Sequence, residues 1–138
     1  MKSRLQQAAS SQVWLALTLG MCLALGCSGA DPGPELAEVT GTVTLDNQPL
    51  PNARVVFLPE DGPASAAITN DAGEYELMGK SGVKGGVPGK NRVEISTDLD
   101  GTRDRAKEKA LPKYNTASTL EAQVELGSNN FDFKLESK

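Results

Sequence analysis

From residue 39 to residue 135 the chain alternates apolar and polar positions in short runs, and turn-forming residues separate the runs. That period of two is the signature of strands buried on one face. Val39, Gly41, Val43 and Leu45 share one side of the first run. Ala53, Val55 and Phe57 share one side of the second, beyond the turn Asp46-Asn47-Gln48-Pro49. Ala64 to Thr69 reads as a weaker third strand, because alanine is a poor strand former. After the turn Asn70-Asp71-Ala72-Gly73, Tyr75 and Leu77 point inward. Residues 79–89 carry five glycines and predict a loop. Val93 and Ile95 mark a strand over 91–97. Leu120 to Leu126 alternates throughout, as do Phe131, Phe133 and Leu135, and Gly127-Ser128-Asn129 between them predicts a hairpin. A short helical piece is expected near 102–110, stopped by Pro112. The expected fold is all-β: seven strands in an antiparallel sandwich.

The segment before this pattern is of another kind. Lys2 and Arg4 precede an apolar run, Val13 to Gly26, of 14 residues. That is short of the roughly 20 residues a membrane-crossing helix needs. A positive start followed by such a run reads as a signal peptide over residues 1–26. The ending Leu23-Ala24-Leu25-Gly26-Cys27 resembles the lipobox of bacterial lipoproteins, in which the cysteine is lipidated and becomes the new N-terminus. The resemblance implies lipidation at Cys27 and a membrane partner held through a lipid anchor. It also implies an exported protein on the periplasmic or outer-membrane side of a bacterial envelope. An ordinary secretory cleavage near Gly26 or Ala30 is the alternative. Residues 27–37 then form the lipidated N-terminus and a small, polar tether with Pro32 and Pro34, and residues 38–137 the folded domain.

Composition narrows the chemistry. The 138 residues include no histidine and two cysteines. Histidine-based triads and histidine zinc sites are therefore excluded. Two cysteines cannot form a four-cysteine metal site, and Cys22 falls inside the expected signal. The net charge is −4, and loss of residues 1–26 would remove Lys2 and Arg4 and no acid. An acidic surface argues against a nucleic-acid partner.

Few stretches suggest a site. Ser81-Gly82-Val83-Lys84 fits Ser-x-x-Lys but lies in a glycine loop, where that catalytic motif needs a helix and two further motifs. Gly79-Lys80-Ser81 lacks the earlier glycine and the following helix of a phosphate-binding loop. Asp98, Asp100 and Asp104 place three carboxylates in seven residues, which makes them weak candidates for calcium. Lys80, Lys84, Lys90 and Arg92 surround the glycine loop and could form a basic rim that contacts an envelope glycan or protein. No catalytic residue and no cofactor are expected. Tyr114, the one mature aromatic outside a strand, is expected to pack its segment onto the sandwich.

Two stretches carry a family resemblance. Val39 to Val43, Gln48 to Ala53, Val55 to Phe57 and Thr69 to Tyr75 together resemble the carboxypeptidase regulatory-like, or transthyretin-like, domain. Gly89 to Ile95 is similar to its next element. Leu111 to Asn115, Ser118 to Leu120 and Gly127 to Leu135 resemble the C-terminal half of small bacterial lipoproteins that carry it. The resemblance implies a transthyretin-like Greek key and a non-catalytic, structural or binding role at the cell envelope. Two alternatives stay open: a carbohydrate- or protein-binding accessory domain, and a weakly calcium-binding adhesion module. The hydrolytic transthyretin-like enzymes rely on histidines that this chain lacks.

Overall fold

In the computed structural model, residues 33–102 and 106–138 are described. Among the described residues, nine strands run in two sheets, with almost no helix. They are β1 (Glu38–Leu45), β2 (Gln48–Pro49), β3 (Arg54–Pro59), β4 (Ser65–Ile68), β5 (Glu74–Glu76), β6 (Gly89–Ser96), β7 (Leu120–Val124), β8 (Ser128–Asn130) and β9 (Phe133–Leu135). One sheet is antiparallel in the order β4-β3-β6-β7. The other is built around β1, which pairs antiparallel with β2 and β5 and parallel with β8 and β9.

The alternation seen in the sequence is the alternation of burial. Val39 and Val43 on β1, Val55 and Phe57 on β3, and Val93 and Ile95 on β6 have no exposed surface. They join Tyr75, Leu77, Ala122, Val124, Phe133 and Leu135 in one core shared by both sheets. The Phe57 ring is its centre, 5.9 Å from Phe131, 6.2 Å from Phe133 and 6.5 Å from Tyr75 between centroids. Turn chemistry fixes the register. Asp46 and Asn47, with φ of 50° and 64°, make the two-residue turn between β1 and β2. The Asn70 side-chain oxygen accepts from the backbone of Ala72 and Glu74 and sets the turn into β5.

Three expectations are corrected. β7 and β9 do not form a hairpin. β7 pairs with β6, and the chain then crosses to the other sheet, where β8 and β9 lie parallel to β1. The fold is therefore mixed rather than wholly antiparallel. Alternation reports which side chains are buried, and both sheets bury theirs in the same core, so it cannot say which sheet a strand joins. Asn129 guides the crossing: its amide bonds Glu125 on one side and the Glu38 carbonyl on the other. Second, Ser128–Asn130 is a strand, not a turn. Third, of the helical piece expected near 102–110, residues 103–105 lie outside the described residues, and 106–110 contain turns and no helix. Pro112 does not stop a helix; it opens a 3₁₀ turn, Pro112–Tyr114, where its fixed φ and missing N–H are harmless.

Two close approaches depend on glycine. At Gly41 on β1, a β-carbon would lie 1.8 Å from the Phe131 carbonyl oxygen. That carbonyl accepts the Tyr75 hydroxyl at 2.7 Å. Burial first, and then the charge of Asp132, holds the Tyr75 phenol well above its ordinary range, so it stays a donor. At Gly85, φ is +119° and a β-carbon would lie 2.6 Å from the Ala37 carbonyl oxygen.

Candidate functional site

The outer face of the four-stranded sheet follows from its register. Residues that alternate with the core, Arg54 and Val56 on β3 and Glu94 and Ser96 on β6, point away from it. The chain leaves β6 at Ser96 and returns to the sheet at Leu120, and this excursion covers part of that face. Between them lies a cleft of about 850 Å³, whose floor includes Arg54, Val56, Glu94 and Ser96 and whose walls include Glu108 and Leu111.

Glu108 holds the excursion in place. Its carboxylate accepts from the backbone N–H of Thr97 and of Ala110, both at 2.9 Å. The hydroxyls of Ser96 and Thr97 also lie within hydrogen-bond reach of it. Burial alone would raise its pKa, but these donors outweigh burial and hold the carboxyl below its ordinary range. Further along, the Asn115 amide bonds the Ala110 carbonyl at 3.3 Å, and the Ser118 hydroxyl donates to the Val93 carbonyl on β6. Tyr114 is buried in the shared core, as expected, and its hydroxyl accepts from Glu136 N–H at 3.1 Å.

Arg54 closes the other side. Its Nη2 donates to the Leu99 carbonyl at 2.7 Å. It is half-buried and makes no ion pair among the described residues. The cleft's carboxylates are engaged elsewhere: Glu94 pairs with Arg92 at 2.6 Å, and Asp98 takes the Thr102 hydroxyl at 3.3 Å.

The residues singled out from sequence are not brought to this cleft as a group. Lys84 pairs with Glu76 at 2.9 Å and Lys90 with Glu121 at 3.0 Å. Three of the four cations of the expected basic rim, Lys84, Lys90 and Arg92, thus each have a carboxylate partner, and Lys80 is exposed on the 3₁₀ turn Lys80–Gly82. The glycine loop instead cradles the start of the domain: Ala37 and Gly86 exchange backbone bonds of 2.9 and 2.8 Å. Asp98 is buried and Asp100 pairs with Lys107 at 2.9 Å, so the two serve local contacts. Asp104, Cys27 and the Ser81 side chain lie outside the described part of the structure. Among the described residues, no group of three His, Cys, Asp or Glu side chains is placed to hold a metal.

Sequence reasoning passed over Arg54 and Glu108. Arg54 had a visible signal: it is the outward charge beside the inward Val55. Glu108 had none, because its partners are backbone groups placed by the fold. No family model matches this chain, and no curated protein or solved structure compared with it does either.

Proposed function

We propose that the chain is a lipid-anchored, non-catalytic module of the carboxypeptidase regulatory-like type, exported to the bacterial envelope. In this reading β1, β3, β4, β5, β6, β7 and β9 correspond to the seven strands of a transthyretin-like Greek key, and β2 and β8 are short additions. The signal-like run carries the chain out, Cys27 is acylated, and the domain presents its outer sheet face near the membrane.

The observation that carries the reading is the way the chain enters the fold. The tether passes directly into β1, and Ala37 is fixed there by paired backbone bonds to Gly86. Leu36 packs against Gly79 and Gly85 at the same point. A domain tied down at its first strand carries a pull on the tether straight into a central strand. From Cys27 to Leu36 an extended chain reaches at most about 30 Å, so an acylated Cys27 keeps the domain close to the bilayer.

The test is intact mass spectrometry of the protein from the membranes of a bacterial host, beside a Cys27→Ala variant. The expected mature N-terminus is an acylated Cys27, and the variant should leave the detergent-soluble membrane fraction. A mature protein that begins at an unmodified residue would overturn the anchor.

A further inference from the structure

We propose that the cleft on the outer face of the four-stranded sheet binds a small molecule with one carboxylate and an apolar body, with Arg54 as its anchor. The assignment is independent of the membrane anchor, since it uses only groups within the folded domain.

The first support is the state of Arg54. Lys84, Lys90, Arg92 and Lys107 all have carboxylates within 3.0 Å. The cations without one, such as Lys80, Lys109 and Lys113, are exposed to water. Arg54 alone among these is half-buried without a carboxylate partner. A charge drawn partly out of water is normally paired. Its one side-chain hydrogen bond is to a neutral carbonyl, Leu99 O. That bond uses one of the guanidinium's five N–H donors. It fixes the side chain at the cleft floor and leaves the planar group able to take a carboxylate on two parallel donors.

The second support is the lining. Val56, Ala110, Leu111 and Pro112 give the cleft an apolar wall beside the guanidinium. Its volume of about 850 Å³ falls within the range of about 300–1,000 Å³ common for small-molecule sites.

The charge of the ligand follows from the neighbours. Glu94, Asp98 and Glu108 also line the cleft, as does Lys109, which is exposed to water. The charges of Glu94 and Glu108 are partly answered, by Arg92 and by the donors around Glu108. They repel a second negative charge, so a dianion such as a phosphate monoester is disfavoured against a monocarboxylate. They do not compete for Arg54, because none of them pairs with it.

The experiment uses the full chain in detergent, titrated with hexanoate and followed by amide chemical shifts. Hexanol, hexylamine and inorganic phosphate are titrated beside it. Hexanoate should bind saturably in the millimolar range, with shifts centred on Val56, Ser96 and Leu111. Each of the other probes should bind at least about tenfold more weakly. Arg54→Gln should weaken hexanoate by about tenfold, and Arg54→Lys by less, because the charge stays and the fork is lost. Val56→Glu puts a carboxylate on the cleft floor two residues along the same strand face from Arg54 and should weaken hexanoate by a similar factor. Thermal melts verify that each variant is folded. The proposal fails if hexanoate does not saturate, if hexylamine or phosphate binds equally well, or if the folded Arg54→Gln and Val56→Glu proteins bind as the parent does.

Discussion

The two faces of strand β6 are covered by segments held in opposite ways. On the inner face, Val93 and Ile95 lie against the rest of the shared core, whose centre is the Phe57 ring. Little is needed there beyond apolar contact and the ladders of the sheets. On the outer face, the excursion from Thr97 to Thr119 contributes Ala110, Leu111 and Tyr114 to the core. Among the described residues, polar bonds made by Glu108, Asn115, Ser118 and Arg54 also hold it in place. The contrast teaches where the protein can yield. A network of polar bonds at a surface opens locally at lower cost than a packed core, and the cleft lies where that network meets the sheet.

The largest effect that tests this contrast is expected at Phe57. Replacing it with alanine removes a fully buried ring and its contacts with Tyr75, Phe131 and Phe133. The loss should be about 3–5 kcal/mol, read as a fall in the urea midpoint of the whole domain. All amides should lose protection together. Loss of protection confined to β3 would show that the two sheets do not share one cooperative core.

Much of that core was legible in the sequence, and the reason is geometric. Period-two burial needs only the strand's own pleat, so Val43, Val55, Phe57, Val93, Ile95, Val124 and Phe133 could be named before the structure. Turns written in local chemistry, such as Asp46-Asn47 and Asn70 to Gly73, were legible for the same reason. What could not be read is what depends on partners far along the chain. The parallel pairing of β9 with β1 joins residues about ninety positions apart. Glu108 binds backbone N–H groups, which every sequence has. The pairing of the basic rim could not be read either, because Glu76, Glu94 and Glu121 reach Lys84, Arg92 and Lys90 only in the folded sheet. Arg54 stood in plain view as an outward residue. What gives it meaning is the absence of a carboxylate partner among the described residues, and only a structure can show that.

A middle effect is expected at Glu108. Glu108→Gln can keep one oxygen for the Thr97 and Ala110 N–H groups, but it puts an amide N–H₂ where the other oxygen meets the Ser96 hydroxyl and removes the charge. A charge-assisted network of this kind, discounted for the group's partial exposure, contributes about 1–2 kcal/mol. Hydrogen exchange should quicken at Thr97, Lys109 and Ala110, while Val93 and Ile95 keep their protection. Acid should act in the same direction. The folded carboxyl lies below its ordinary value of 4.5, so its contribution is complete above that pH. It is lost as the pH falls through the lowered folded value. The excursion should therefore open in acid before the core does. Equal acceleration at Thr97 and Ile95 would mean that both regions belong to one cooperative unit.

The smallest effect belongs to the rim around the glycine loop, and its smallness is informative. Hydrogen bonding to Glu76 raises the pKa of Lys84, and hydrogen bonding to Glu121 raises that of Lys90. A raised pKa of this kind adds stability below the unfolded value, lost as the pH rises through the folded one. Both ammonium groups are fully open to solvent, however, where water and salt screen the attraction. Lys84→Met and Lys90→Met should leave the urea midpoint unchanged within replicate scatter, at low salt and at high salt alike. A clear loss at low salt that disappears at high salt would make the rim a structural element, and the polar bonds of the excursion would no longer stand apart from the ion pairs of the sheet surface. If the midpoints hold, exposure separates the two sets: the same carboxylate chemistry positions a segment at Glu108, where donors converge on a half-buried group, and contributes little at Glu76 and Glu121, where one mobile ammonium meets water.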